Sequence, residues 1–516
     1  MKTRNTILVA LASLVMCACS LDEYPYGFYS EDNFYKTEAD ALAATNYIYD
    51  AINYIEYSRA IVFLGDMNTD AMKPKGDAKT ANQELDGWKT ATFKTNTTLY
   101  NFYKYSYITI NRANAVIENV GAMKDIDTTA RNQYVGEAYF MRAYSYFNLA
   151  RNFGRVPLHL KPVRRLEETT VGLAPSLDAM WQQIFDDLEM AIKLTRIYPK
   201  PVTGRTDKVA AWSLAAMSYL YLASAKESHA PKYEDMSFDV NTYYAKAAEY
   251  AGYVVNNPSQ TTYGLDPNLM DIYDVNKPTG PEHIFLMSMD RTGKNEGQFS
   301  KISKMYIPYI GGGTVYLKQP DTGKLIPTHD GWSEYGTVMD WYNTTFEAGD
   351  RRHDWLFCNT VYDASGNAIR GGDSGINLEY TFCRKFIDPD FDDFKTSTKP
   401  FLIRYSEIAL TYAEAAGPTE KACQLVNAIR SRAGLGDLPA GLSLQEFREK
   451  VRKERVYELA FEGKSCYDLR RLNKLHTDIA AAKSQGLSAQ EMVFYPIPSL
   501  ETDLNPYTKE EEPQNE

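Results

Sequence analysis

The stretch Arg452-Lys-Glu-Arg-Val-Tyr-Glu-Leu-Ala-Phe-Glu-Gly-Lys-Ser-Cys-Tyr-Asp-Leu-Arg-Arg471 decides how the rest of the chain is read. At about 100° per residue, Glu454, Glu458 and Glu462 fall on one helical face with Phe447, Val451 and Phe461. Val456, Leu459 and Ala460 cover the other sides, and a helix apolar in every direction is not an exposed one. The three carboxylates are therefore expected to be wholly or partly buried, where they need partners. Arg455, Lys464, Arg470 and Arg471 supply cations nearby, with Asp468 among them. The stretch is either an ion-pair clasp that fixes the fold or an acidic catalytic centre. Every glutamate has a basic neighbour in sequence, which favours a clasp of Glu454, Arg455, Glu458, Glu462, Asp468, Arg470 and Arg471.

A chain of 516 residues has length for more than one hydrophobic core. Its 44% hydrophobic and 24% charged composition is that of a globular protein. The formal charge of −11 argues against a nucleic-acid partner, for which a basic face is needed. Tyrosine is in excess, 39 against 22 Phe and 6 Trp, and suits surfaces that are apolar on one side and wet on the other.

Lys2 and Arg4 precede an apolar run from Ile7 to Met16, too short to span a bilayer as a mature helix, so residues 1–18 read as a secretory signal. Their loss would take the charge from −11 to −13. Ala18-Cys19 resembles the lipobox of bacterial lipoproteins, with Cys19 the lipidated residue; Cys17, after bulky Met16, fits less well. Lipidation would anchor the chain to a membrane rather than pass it through. Cys358, Cys383, Cys423 and Cys466 show no CxxC spacing for zinc. Cys358 and Cys383 flank an expected hairpin and could pair in an oxidising compartment.

The expected fold is mainly α, with residues 19–516 as one domain. Thr37 caps a first helix, and Leu99 to Val120, Thr129 to Asn152, Leu177 to Thr195, Ala211 to Leu222, Tyr244 to Ala251 and Pro418 to Ala433 continue the helical pattern. Ala143 and Phe147 have the A-x₃-F spacing of a tetratricopeptide helix, so the helices are expected to pair into a TPR-like superhelical frame over 19–257 and 401–516. Residues 65–97 are polar and broken at Lys73-Pro74-Lys75-Gly76, as expected of a functional or mobile loop, with Trp88 as its exposed ring. Residues 258–400, dense in Gly and Pro, are expected to form a loop-rich, partly β insertion. Asp363 to Asn367 forms its hairpin turn, and the insertion is the natural place to display a site.

Enzyme signatures are poor. The histidines show no HExxH, there is no GxSxG, and Gly463-Lys464-Ser465 lacks the first glycine of a P-loop. Asp388, Asp390 and Asp392 open like a calcium loop, but Asp393 and Lys399 replace its glycine and terminal glutamate. A carboxylate pair for glycoside hydrolysis stays open, since its separation is spatial. Trp181 and Trp212 read as core, and Trp341 and Trp355 as packing about Asp350. That leaves Trp88 and Trp332 in polar, glycine-bearing loops, Trp332 accompanied by Tyr306, Tyr309, Tyr316 and Tyr335. A ring stacked on a sugar face buries about 50–100 Å², worth ~1–3 kcal/mol. Two or three rings make a weak site, with Asn68, Asp70 and Asp86 as readers of ring hydroxyls. The candidate ligand set is thus Trp88, Trp332, Tyr309, Tyr316, Asn68, Asp70 and Asp86.

Seven pieces in order resemble the SusD/RagB family of outer-membrane nutrient-binding lipoproteins of Bacteroidetes. They are the lipobox with Asp22 following, FYKTEADALAATNYIYDAI, GEAYFMRAYSYFNLARNFGRVPL from Gly136, GRTDKVAAWSLAAMSYLY from Gly204, FLIRYSEIALTYAEA from Phe401, KERVYELAFEGKSCYDLRR from Lys453, and YPIPSLETDLNP from Tyr495. Cys466 departs from the larger residue expected there. The resemblance implies TPR helix pairs under a loop-rich face, no cofactor, and capture of a glycan for a partner SusC-like, TonB-dependent transporter. It also implies a lipid anchor in the outer membrane facing outward. Some relatives bind peptides, so a peptide ligand on the same fold and a surface hydrolase remain the alternatives. The family's binding aromatics sit in loops that differ among members, so the resemblance itself assigns none of the rings above.

Overall fold

A computed structural model describes residues 34–202, 204–256, 262–309, 313–369 and 381–508, with the side chains of 55–58 left aside. The leader, Cys19, Gly311-Gly312 and Gly371-Gly372 lie outside the described residues.

Side-chain caps start the helices where the hydrophobic periodicity begins. Thr37 and Asp40 form a reciprocal capping box at the head of α1 (Glu38–Asn53). α2 (Ile55–Asp66) follows, then β1 (Met72–Pro74) and α3 (Thr80–Asp86). Asn96 caps α4 (Thr97–Ala115), Asp127 caps α5 (Thr128–Phe153), Ser176 caps α6 (Leu177–Leu194), Asp207 caps α7 (Lys208–Glu227) and Asp239 caps α8 (Val240–Val255). Each cap side chain accepts a bond from an otherwise orphaned backbone N–H of its helix.

Successive helices pack on one another: α1 and α2 on α4, α4 on α5, α5 on α6, α6 on α7 and α7 on α8. Ala143 and Phe147 of α5 are both buried, and Phe147 meets Trp181 of α6 edge-on at 5.9 Å. Trp181 in turn stacks on Tyr221 of α7 at 5.7 Å. Gly136 lets α5 touch the end of α6, because a Cβ there would lie 2.7 Å from the Thr195 side chain.

Beyond α8 the chain runs through short elements. They are β2 (His283–Leu286), α9 (Ile302–Tyr306), β3 (Thr314–Lys318), β4 (Leu325–His329), β5 (Tyr335–Thr337), α10 (Met339–Thr345) and α11 (Arg351–Leu356). β6 (Phe357–Cys358), β7 (Val361–Tyr362), β8 (Ala368–Ile369), β9 (Phe382–Cys383) and β10 (Phe401–Arg404) complete them. β2 pairs antiparallel with β10 and closes the neck of this excursion. The next helix, α12 (Tyr405–Ala416), packs directly against α8, so the helical frame resumes where it was left. α13 (Glu420–Arg432), α14 (Leu444–Leu459) and α15 (Ser465–Arg471) follow. A small second core of Ile307, Val315, Leu317, Val361 and Phe382 supports the four-stranded sheet β4-β3-β7-β8. The β7–β8 hairpin turns where expected, with the Asp363 carboxylate accepting from Ser365 N and Asn367 N.

Two expectations need correction, and a disulfide that the sequence left open is not formed. The signature helix α14 ends at Leu459, and Phe461 and Gly463 take positive φ values of 63° and 75°, so Glu462 reaches its partners from a turn, not from the helical face. Residues 65–97 are not a displayed loop. β1 pairs with β5, Gln485 Nε2 donates to Gly87 O at 2.7 Å, and the chain folds as strand, helix and 3₁₀ turn. Cys358 and Cys383 sit on paired strands, but Cys358 opposes Phe382 and Cys383 opposes Phe357. Neighbouring residues of a strand point to opposite faces, which separates the two thiols, and both are free.

Candidate functional site

The signature stretch lies at the junction of the helical frame and the insertion. Arg404 of β10 bonds Glu462 at 2.7 and 3.0 Å, and both Glu282 and Glu458 at 2.8 Å. Arg432 of α13 also joins Glu282 to Glu458. Arg352 of α11, fully buried, holds Asp350 at 2.8 Å, Glu454 at 2.7 Å and Glu458 at 3.0 Å. Arg430 reaches Glu454 at 3.1 Å, and Lys385 reaches Glu462 at 2.7 Å. Five acids thus face five bases, and the cations come from four separate stretches of chain. Burial alone would raise the Glu458 carboxyl, but Arg432, Arg404 and Arg352 overcome it and hold it well below the ordinary carboxylate value. Arginine suits this position because its planar fork serves two or three carboxylates at once and stays charged when buried.

The partners chosen from nearby sequence belong elsewhere. Arg455 bonds Asp468 at 2.9 Å, and Arg471 bonds Asp468 at 2.8 Å and Glu414 of α12 at 2.7 Å. Arg470 makes no ion pair among the described residues. It donates to Arg151 O at 2.8 Å and lies 5.0 Å from the Tyr495 ring centre. The stretch therefore carries two charge networks, one toward the insertion and one toward α12. Its turn docks on α2: Gly463 N donates to the Asp66 carboxylate at 2.5 Å and Ser465 N at 3.2 Å. Glycine faces glycine at this contact, since a Cβ on Gly65 would stand 2.1 Å from the Gly463 carbonyl.

Trp88 is buried, which corrects its reading as an exposed ring. Its Nε1 donates to Asn68 O at 2.8 Å, and it stacks on Tyr495 at 5.9 Å with Phe93 edge-on at 6.0 Å. Asn68 is buried too and donates to the Tyr495 hydroxyl, so neither residue is placed to meet a ligand. Asp70 accepts from Ala480 N with both oxygens, at 3.1 and 3.0 Å. Burial first, and the Asp70 charge second, push the Asp86 carboxyl up to about 7. Trp88, Asn68 and Asp70 are thus occupied in fastening that segment to the C-terminal part.

Tyr309 and Trp332 fare differently. Two stretches of the insertion are sewn together beneath them: Trp332 N donates to Lys304 O at 2.6 Å, Ser333 N to Ile307 O at 3.0 Å, and Gly331 N to Pro308 O at 3.1 Å. Tyr309 N completes the seam by donating to Ser333 Oγ at 2.8 Å. Only glycine fits at 331, because a Cβ would stand 1.9 Å from Ile307 O. On this rigid base Tyr309 is 56% exposed and Trp332 half-buried. Tyr306 and Tyr335, the other aromatics of the group, are fully buried behind them. Tyr316 is half-buried on the outer face of β3, opposite Tyr362 of β7, a partner that sequence reasoning missed. Its signal, a tyrosine beside the Asp363 turn, has meaning only once the strand register is known.

A family profile described as "SusD family" matches residues 281–513, and a second, described as "Starch-binding associating with outer membrane", matches residues 30–220. Between them they account for well over half of the sequence. The chain belongs to the SusD/RagB family. "SusD-like protein P2" of Formosa agariphila is 26% identical over 530 residues, covering 98% of both chains. Among solved structures, a SusD superfamily protein from Parabacteroides distasonis superposes with a TM-score of 0.74 at 20% identity, covering 92% of this chain and 99% of that one. A laminarin-binding SusD-like protein superposes with a TM-score of 0.73 at 23% identity, covering 91% and 98%.

Two further polar constellations of this SusD/RagB-family chain, the Asp388 turn and the Ser303–His329 pair, are structural. Asp388 accepts from Ser397 N and Asp390 N and pairs with Arg291 at 3.1 Å, so the calcium-like spacing is spent on a turn. Among the described residues no acidic, histidine or cysteine cluster could hold a metal ion. Ser303 Oγ meets His329 Nε2 at 2.8 Å, but both side chains are buried and His329 Nδ1 faces Asp330 O, not an orienting carboxylate. Burial and Lys304 push the His329 imidazole down to about 4, so it stays neutral as a fastening between α9 and β4. No described helix is long and apolar enough to cross a membrane.

Proposed function

We propose that this chain is a cell-surface glycan-binding lipoprotein, held at the outer membrane through Cys19. In this reading it captures oligo- or polysaccharide on Tyr309, Trp332 and Tyr316 and passes it, without chemistry, to a SusC-like TonB-dependent transporter. The observation that carries the reading is Tyr309, a large ring left 56% exposed on a backbone fixed by four hydrogen bonds. An exposed aromatic on a mobile loop would lose ordering entropy on binding, whereas a fixed ring loses little. Each ring stacked on a sugar contributes about 1–3 kcal/mol, which suits a receptor that must release its ligand. A profile described as starch-binding and outer-membrane-associated, and the laminarin-binding relative, support the ligand class and the location. Affinity electrophoresis through gels containing laminarin, starch or other polysaccharides tests the site. Tyr309→Ala/Trp332→Ala should abolish retention on the cognate polymer while Trp88→Phe, in the core, leaves retention unchanged.

A further inference from the structure

The β3–β4 hairpin has a second side. Tyr316 lies on its outer face, while on the other face Ile326, with Ile387, forms the apolar floor of a cleft of about 340 Å³, backed by the buried Leu317. The opposite wall is the turn from Met270 to Asn276, which precedes the neck strand β2. The rim is open, with Asn276, Asp321 and Lys324 exposed. This volume falls in the range of about 300–1,000 Å³ common to small-molecule sites.

The lining is rich in planar polar groups. Asp271, Asp274 and Asp321 supply carboxylates, Asn276 and Gln319 amides, and Lys324 and Arg384 cations. Several are already oriented by bonds that leave part of the group for another partner. Asn268 and Lys277 fix Asp271, Asp390 fixes the Asn276 amide nitrogen at 3.1 Å, and Arg384 fixes Gln319 Oε1 at 3.1 Å. Arg384 is also committed to Lys318 O at 3.0 Å, so it acts as a brace and does not offer a free charge to an anion. With Asp271 paired to Lys277, Asp274 and Asp321 still outnumber the one free lysine, Lys324, which disfavours an acidic ligand, and the apolar floor disfavours a small cation. Vicinal hydroxyls on an otherwise apolar ring match carboxylate and amide groups arrayed over such a floor.

We infer that this cleft is a second sugar site, one that takes a neutral mono- or disaccharide, such as a chain end, on the face of the hairpin opposite Tyr316. The inference rests on the glycan-binding reading above. Its test uses the full chain and isothermal titration with maltose, cellobiose and laminaribiose, with glucuronate and glucosamine as charged probes. At least one neutral disaccharide should bind. Asp321→Ala/Lys324→Ala, both on the exposed turn, should weaken it by about tenfold or more, and Ile326→Trp, which fills the floor, should do the same. Tyr309→Ala/Trp332→Ala should leave disaccharide affinity within about twofold. The inference is overturned if no neutral disaccharide binds, if a charged probe binds more tightly than all three, or if both cleft variants keep wild-type affinity. Polysaccharide retention read in parallel separates the two ideas. Retention lost in the Tyr309/Trp332 variant with no disaccharide binding sinks only the cleft. Disaccharide binding that is lost in the cleft variants, with no polysaccharide retained by wild type, sinks only the aromatic platform.

Discussion

Glu458→Gln removes one charge from the centre of the larger network and little volume. Glu458 Oε1 receives Arg404 and Arg432, and Oε2 receives Arg352 at 3.0 Å. The amide would keep one acceptor, turn two N–H donors toward guanidinium groups, and leave three buried arginines with four carboxylates elsewhere in the cluster. Breaking a buried pair from one side costs about 3–5 kcal/mol, most of it the uncompensated charge left behind. Urea unfolding at pH 7 should show that loss at an unchanged slope. The pH dependence gives a second reading. The Glu458 carboxyl is held below its ordinary value of 4.5, so its contribution is complete above pH 4.5 and is lost as the pH falls toward its folded value. The gap between wild type and variant should therefore be constant from pH 6 to 8 and shrink below pH 4.5. Glycan retention by the folded variant should match wild type. A variant as stable as wild type but unable to bind would refute the clasp and revive the acidic site.

Gly65→Ala sets a Cβ 2.1 Å from the Gly463 carbonyl and should cost more than ~3 kcal/mol, whereas Gly76→Ala, with open space around it, should be neutral in the same thermal melt. Asp86 is held up at about 7 against an ordinary 3.8, so wild type loses stability as the pH rises through that window while Asp86→Asn does not. At pH 8 the variant should be more stable by on the order of 3 kcal/mol, with the gap closing by pH 4; equal stabilities at both pH values would contradict the burial of Asp86.

Much of the frame was legible because caps and 3.6-residue periodicity are local. Thr37 stands where the first helix starts, and Ala143 and Phe147 are buried as the spacing required. The clasp was legible in half. Glutamates on an apolar helix announce burial, but their partners Arg352, Lys385, Arg404 and Arg432 lie up to 106 residues away in the chain, and nothing local marks them. Proximity in sequence pointed to Arg455, Arg470 and Arg471, which serve Asp468, Glu414 and a backbone carbonyl instead. Trp88 misled for a related reason. A polar loop suggests exposure, but Tyr495, 407 residues on, covers the ring. Trp332 and Tyr309 keep a solvent face on a base in which Gly331, Trp332 and Ser333 donate backbone bonds to the stretch from Lys304 to Pro308 and Ser333 Oγ accepts from Tyr309 N.

The central claim, a glycan caught on a fixed aromatic platform, is tested most directly by polysaccharide affinity of the full chain beside its Tyr309→Ala/Trp332→Ala variant, with equal thermal midpoints as the folding control. Retention of wild type on at least one glycan, and its loss in the double variant, is the expected result. Undiminished retention by the variant, or no retention of wild type on any polysaccharide while a peptide library yields a ligand, would contradict it.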